Sequence, residues 1–423
     1  MMAARRTTRR AFLRCAVAAA TAATAGPRVL RAQPRTVKVG MPSPVSGPMA
    51  DVGQDSRLGA QLAVEAVNAA GGIKSMGGAR IELLLGDTET KADVARSEGD
   101  RLINGGAQIL TGAFHSAHVA TLALLAQQRR VPYIIDISAA DAPTANVAKS
   151  VREGQQKLQY VYRIFPGSVI FGRNAVKYMT EIFREANVSP KRVVLMYSND
   201  LFGKTQTDSF QAALKAANPG FEVVDVIPYP ENAVDLSTEV SRARAAKPDV
   251  LAPVTRPATA ILLLEEVAKQ RLDLMGIISP GAPGLYETKQ IQQLKDKLEY
   301  VMDSTVYANY RKPETRRIAA EYAKRSGGRN FDASGAYSYE AIQVIADVLE
   351  RAASTDPDAL VAAIKKTSFP DGVTVSSGPV IFNDTGDNPN ASTAMLQILG
   401  QKPRVVWPRD AAEQRFVFPR PKT

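Results

Sequence analysis

The chain has 423 residues, more than one hydrophobic core usually holds, so two domains are expected. Its content of 45% hydrophobic and 22% charged residues is typical of a globular protein and excludes a disordered or fibrous one. A single cysteine excludes a disulfide scaffold and a cysteine-ligated metal centre. The net charge of +11 suits a nucleic-acid or anionic-membrane partner, provided that it is spread over the folded chain.

The positive charge is instead concentrated at the N-terminus, where the first 32 residues carry seven arginines and no acidic residue. A basic stretch over 5–10 precedes a modest apolar run over 15–23 and a small-residue triplet at 23–25. This order is typical of a cleaved export signal, and residues 8–14 resemble the twin-arginine motif. The alternative is a disordered basic tail.

We predict that residues 1–32 are removed on export to the periplasm by the twin-arginine route, with Ala25 as the alternative to Ala32 at the cleavage site. The 53 basic residues then become 46 against 42 acidic ones, a net charge of +4. We therefore expect no nucleic-acid partner. No later segment of the sequence is long and apolar enough to cross a membrane, so the mature chain is expected to be soluble.

Strand-like and helical patterns then alternate along the chain. The first block is predicted to contain strands over 36–41, 81–85, 108–111 and 132–137, with helices over 56–70, 90–104 and 117–130. The second block is predicted to contain strands over 160–164, 193–197, 221–227, 249–251 and 276–278, with helices over 171–186, 205–217, 236–246 and 259–271. The tail is predicted to contain helices over 314–325, 337–353 and 356–366, then extended runs over 380–382 and 395–399. Such alternation predicts an α/β fold with parallel sheets covered on both faces, in two lobes.

Catalytic and metal-binding patterns are missing from the sequence. His115 and His118 are three residues apart, but the chain has no third histidine to complete a metal site. Residues 203–205 resemble the end of a phosphate-binding loop, but Ser198 stands where that loop requires glycine. We therefore predict no enzymatic activity, no metal and no cofactor.

Two loops of the first block follow predicted strands and could bind a ligand with their backbone N–H groups. Ser116 follows one strand and is expected to be the N-cap of the next helix, where its hydroxyl could reach a carboxylate. Ala139, Ala140 and Asp141 follow the next strand, and the two alanines leave the backbone accessible. The alternative is that Ser116 and Asp141 only cap a helix and a turn.

From about residue 37 to 399 the chain resembles the substrate-binding proteins of branched-chain amino-acid ABC importers, which have the type I periplasmic binding fold. The resemblance is carried, in order, by residues 44–53, 59–73, 87–90, 199–203 and 377–382. It implies two Rossmann-like lobes joined by a three-segment hinge, one formed by 36–163 with 304–375 and the other by 164–303 with 376–423. The ligand would lie between the lobes, which close and present it to the permease.

The resemblance also assigns ligand-binding positions. Ser116, with His115 beside it, matches the serine that holds the ligand α-carboxylate, and the loop of Ala139, Ala140 and Asp141 completes that contact. In the second lobe, Phe202 matches an aromatic wall, and Thr255 and Arg256 stand near a further contact that is usually aromatic. Two positions depart from the family: Asp141 replaces a hydroxyl residue, and Gly281 stands where an acid usually pairs the ligand ammonium.

These departures leave the ligand class open between amino acids and other small carboxylates, including aromatic acids. Either Asp141 supplies the missing counter-charge, or the ligand carries no α-ammonium and Arg256 could bind a second carboxylate. The alternative for Arg256 is a solvated surface side chain. We predict a monomeric periplasmic receptor that delivers a small molecule to ABC permease subunits. The rival interpretation is a periplasmic ligand sensor that acts on a signalling partner.

Overall fold

The computed structural model describes residues 36–370 and 372–421, and the predicted leader over 1–32 lies outside the described residues. Within the described ranges, none of the helices has the length and apolar character needed to cross a bilayer. The chain forms two β-sheets with flanking helices, which confirms the predicted α/β class.

The first sheet has five parallel strands in the order β2-β1-β3-β4-β5. Its strands are β1 (Thr36–Ser43), β2 (Arg80–Asp87), β3 (Ile109–Leu110), β4 (Tyr133–Ile135) and β5 (Val161–Arg163). The connecting helices are α1 (Ala50–Ala69), α2 (Ala92–Asn104), α3 (Ser116–Arg129) and α4 (Ala142–Arg152). β3, β4 and β5 are buried along their whole length, as expected for strands covered on both faces.

The second sheet has seven strands in the order β12-β11-β10-β9-β8-β6-β7. Its strands are β6 (Arg192–Ser198), β7 (Glu222–Tyr229), β8 (Val250–Val254), β9 (Gly276–Ser279), β10 (Met302–Thr305), β11 (Ala394–Ile398) and β12 (Pro403–Trp407). The first five of these run parallel, and β11 and β12 run antiparallel at one edge. The connecting helices are α5 (Ser168–Glu185), α6 (Leu201–Ala217), α7 (Ser237–Ala245), α8 (Pro257–Lys269) and α9 (Thr288–Leu294).

The three helices of the tail return to the first lobe. They are α10 (Pro313–Ser326), α11 (Ala333–Ala352) and α12 (Pro357–Ile364). α11 packs along α1, and a Cβ added at Gly59 would lie 2.1 Å from the carbonyl oxygen of Gly335, so glycine permits this close approach. The chain thus enters each lobe more than once, and the boundaries predicted from the sequence stay a proposal.

Several elements differ from the sequence-based expectation, which contained no helix where α4 (Ala142–Arg152) forms. α1 begins at Ala50, six residues before the predicted start, because Gly53 lets the first turn pack on the Pro44 carbonyl, which a Cβ would approach to 2.1 Å. The run over 380–382 forms only an isolated bridge from Val380 to Phe369. β12 was not predicted, since it begins with Pro403 and lies at the sheet edge, where a proline is tolerated.

The α1–α11 contact predicts a large effect of a small substitution. Gly59→Ala is expected to destabilise the protein by roughly 1–3 kcal/mol, because the new methyl group meets backbone that cannot rotate away. Urea unfolding followed by circular dichroism measures the change. The control Gln61→Ala, at an exposed position of the same helix, should unfold like the unmodified chain. Equal midpoints for all three proteins would contradict the packing described here.

Candidate functional site

A cleft lies between the two lobes, at the carboxyl ends of the parallel strands, and holds about 450 Å³ of space, including the part open to solvent. Its walls are mainly apolar, with six of the larger side chains supplied by Phe114, Ile137, Phe165, Phe171, Phe202 and Val306. Polar groups reach it from Ser116, Ser138, Thr305 and Arg256. An apolar cleft with a few polar groups is the usual form of a small-molecule site.

The first-lobe wall is built around the N-terminus of α3. His115 is the N-cap, because its Nδ1 accepts the N–H of Ala117 at 3.3 Å, so the prediction that Ser116 is the N-cap was wrong. Ser116 is the first helical residue, and its Oγ accepts a hydrogen bond of 3.2 Å from Ser138 Oγ. Ala113 and Phe114, just before the helix, have left-handed backbone (φ 85° and 59°), a strain that concentrates at functional sites.

The second-lobe wall presents Arg256, whose side chain is only 4% exposed. Its Nε donates to Asp200 Oδ2 at 2.8 Å, and its guanidinium carbon lies 4.5 Å from the centre of the Phe202 ring. Among the described residues, no hydrogen-bond acceptor is found for its Nη1. Burial acts to raise the pKa of Asp200, but the adjacent Arg256 holds that pKa below its usual value.

None of the described residues that line the cleft is an aspartate or a glutamate. Position 281 lacks an acidic side chain for a steric reason. This residue has φ +117°, and a Cβ there would lie 2.5 Å from the ring of Phe171 and 2.8 Å from the amide nitrogen of Gln206. An acidic side chain cannot occupy this position without moving Phe171.

Buried carboxylates support the loop around Gly281 from behind. Asp303 accepts the N–H of Ala282 at 3.1 Å, and Glu287 accepts the N–H groups of Gly284 and Tyr286 through one oxygen. Burial raises the pKa of Glu287 to about 7. These groups therefore hold the backbone of the cleft wall.

Of the nine residues proposed from the sequence, five line the cleft: Ser116, Ala139, Phe202, Arg256 and Gly281. The other four are absent from the lining: His115, Ala140, Asp141 and Thr255. Thr255 donates from Oγ1 to the Pro283 carbonyl at 3.0 Å and so supports a residue that does line the cleft. The role of the nine in ligand binding stays a prediction.

Asp141 is engaged by the protein itself. Its carboxylate accepts from Arg163 Nη2 at 3.1 Å and from the hydroxyl of Ser168. The negative charge of Asp141, which could have paired with a ligand ammonium, is thus already paired with Arg163.

Arg163, at the end of β5, is a structural centre of the site, whereas the sequence predicted only a strand and a lobe boundary there. It is 1% exposed, and its guanidinium donates to the carbonyls of Ser138 and Ala140 and pairs with Asp141 and Asp387. The sequence does contain a signal for this role, an arginine inside the apolar run over 161–165. A charge in such a run is expected to be buried, and a buried charge needs partners.

Other cleft residues carried weaker signals. Phe165 and Phe171 flank the chain segment that connects the two lobes. The hydrophobic pattern of the sequence does not distinguish a phenylalanine that lines the cleft from one in the core. Glu231, next to the cleft, lies in the loop after β7 and has no motif around it.

His115, Asp200 and Glu231 place potential metal-ligand atoms within 4.8 Å of one another. Arg256 lies among them, with its Nε 2.8 Å from Asp200 Oδ2 and 3.7 Å from Glu231 Oε1. One guanidinium of the chain therefore lies beside both carboxylates, and it balances the charge of one of them.

Comparison with known proteins is consistent across sequence and structure. The profile of a family described as periplasmic binding protein matches residues 36–402. The Leu/Ile/Val-binding protein homolog 8 of Brucella abortus is 27% identical over 390 residues, which cover 90% of this chain and 93% of that protein.

Two solved structures show the same fold. The leucine-binding protein LivK of Thermotoga maritima superposes with a TM-score of 0.74 at 21% identity, over 88% of this chain and 97% of its own. A solute-binding protein of an ABC transporter from R. palustris, in complex with benzoate, superposes with a TM-score of 0.73 at 20% identity, over 89% and 96%.

The buried position of Arg163 predicts a large loss of stability when its charge is removed. Arg163→Met is expected to lower the free energy of unfolding by about 3–5 kcal/mol, because two carboxylates and two carbonyls lose their partner. Urea titration measures this free energy of unfolding. The control Arg129→Met removes an exposed pair with Asp100 and should cost about 1 kcal/mol or less. Similar losses in both variants would show that Arg163 has no special role.

The raised pKa of Glu287 predicts a pH dependence. The folded state binds the proton of Glu287 more tightly than the unfolded state, in which the pKa of this group is 4.5. The stabilisation from the protonated carboxyl is therefore complete below about pH 4.5 and is lost as the pH rises to about 7. Glu287→Gln keeps an oxygen for both backbone N–H groups and removes the titration. Over this range the variant should gain stability relative to the parent by up to about 1.4 kcal/mol per pH unit. Parallel stability curves between pH 4 and 8 would refute the assignment.

Proposed function

The chain belongs to the periplasmic binding protein family, and from that premise we propose that it is the solute-binding receptor of an ABC importer. It captures a small carboxylate without an α-ammonium between its closing lobes and delivers it to the permease. The observation that carries the ligand class is the lining of the cleft, which includes Arg256 and no aspartate or glutamate.

The hydrogen-bond donors of the cleft favour a carboxylate, and its lining offers no counter-charge for an ammonium. A ligand carboxylate would meet Ser116 Oγ and the N-terminus of α3 from the first lobe and Arg256 Nη1 from the second. A buried ammonium left without a counter-charge costs several kcal/mol. Asp141 and Asp200 are each already paired with an arginine, and Glu231 contacts His115.

The shape of the walls favours an aromatic body for that carboxylate. Phe114, Phe165, Phe171 and Phe202 surround the space, and aromatic rings gain from edge and offset contacts beyond the burial of their area. The benzoate complex of the R. palustris protein supports this choice, whereas LivK is named for leucine. A branched-chain amino acid is therefore the competing ligand.

The proposed cellular role includes export by the twin-arginine route, residence in the periplasm, a monomeric state and no catalysis. The lobes would consist of 36–163 with 304–375 and of 164–303 with 376–423, and the ligand would favour their closed arrangement. A sensor that acts on a signalling partner is the rival role. Neighbouring genes for a permease and an ATPase would favour transport over sensing.

A thermal-shift screen tests the ligand class. Benzoate and 4-hydroxybenzoate are expected to raise the unfolding temperature, since a ligand at 100 times its Kd stabilises by about 2.7 kcal/mol, whereas leucine and isoleucine should leave it unchanged. A shift with leucine and none with the benzoates would contradict the proposal.

Site variants test the placement of the ligand by calorimetric titration with benzoate. Ser116→Ala and Arg256→Gln are each expected to weaken binding about tenfold or more, because each removes a donor to the carboxylate. The control Arg242→Gln removes a surface arginine of the same lobe, paired with Asp225, and should bind like the parent. Unchanged affinity in both site variants would show that the carboxylate lies elsewhere.

A further inference from the structure

Glu231 forms a contact that crosses between the lobes without lining the cleft. It lies in the loop after β7 of the second sheet, and its Oε1 is 2.8 Å from Nε2 of His115, which precedes α3 in the first lobe. The His115 side chain is 7% exposed and that of Glu231 35%, so solvent screens this contact only in part.

The hydrogen-bond pattern of His115 sets the direction of the contact. Its Nδ1 accepts the N–H of Ala117, so in the neutral ring Nε2 carries the proton and donates it to Glu231. The imidazole therefore does two things with its two nitrogens: it caps α3 and it joins the lobes.

Glu231 also lies beside the second anion-binding element of the cleft. Its Oε1 is 3.7 Å from Arg256 Nε, and Arg256 Nη2 is 3.4 Å from His115 Nε2. One carboxylate thus contacts both the residue that caps the helix of Ser116 and the arginine that faces the ligand space.

A second ion pair between the lobes is more exposed. Lys289 pairs with Asp51 at 2.7 Å, but the two side chains are 63% and 52% exposed, and such pairs contribute little. Next to it, the Asn330 N–H donates to Thr288 Oγ1 at 3.0 Å. The Lys289 pair therefore offers a matched control for Glu231.

We propose that Glu231 is a positioning residue: through His115 it favours the closed arrangement before a ligand arrives, and it aligns the N-terminus of α3 with Arg256. The proposed alignment of the α3 N-terminus with Arg256 rests on the function proposed above, since both belong to the same cleft. The closing effect is independent of which ligand the cleft binds, because both partners of the contact belong to the chain.

The closing effect is measured by the distance between spin labels in the two lobes. With Cys15→Ala, labels are attached to Leu124→Cys on α3 and Arg244→Cys on α7, both exposed positions. The ligand-free parent is expected to show a population at short distance. Glu231→Ala should reduce that population at least several-fold, and Glu231→Gln, which keeps an acceptor oxygen for His115 Nε2–H, should retain most of it.

Lys289→Gln is the control and should leave the distribution unchanged. A ligand-free parent without a short-distance population, or one that Glu231→Ala does not reduce, would overturn the proposal. Benzoate and leucine are then added to the labelled parent as separate probes. If neither increases the short-distance population, the proposed ligand class fails, while the comparison of the ligand-free variants still decides the role of Glu231.

Discussion

The buried guanidinium of Arg163 joins the parts from which the cleft is built. It lies at the end of β5, where the chain leaves the first sheet, and it binds the loop of Ser138 and Ala140 on one side and Asp387 on the other. A buried charge is tolerated only when it is fully paired, so these segments must come together in one arrangement. The position of the first-lobe wall of the cleft therefore depends on this one side chain.

The charges around the cleft follow the same rule. Asp141 is paired with Arg163, and Asp200 with Arg256. Arg256 lines the cleft, and no acceptor for its Nη1 is found among the described residues. The Phe171 ring occupies the place that an acid at position 281 would need.

Much of the fold could be predicted from the sequence, because strand–helix alternation is a local signal of parallel sheets. The errors fell where tertiary contacts override local preference. α1 begins early because Gly53 meets the Pro44 carbonyl, and β12 forms because an antiparallel partner, β11, is available at the edge of the sheet. Neither contact leaves a periodic pattern in the sequence.

For the site, the sequence by itself determined which residue types were available: small residues in two loops after strands, one arginine after β8 and a glycine in place of an acid. Only the tertiary structure decided which of them meet. In that structure Asp141 is paired with Arg163 and does not line the cleft. Glu231 contacts His115, which lies more than a hundred residues away in the sequence. The physical reason is that charge pairing acts over a few ångströms in space, whereas sequence patterns report only neighbours along the chain.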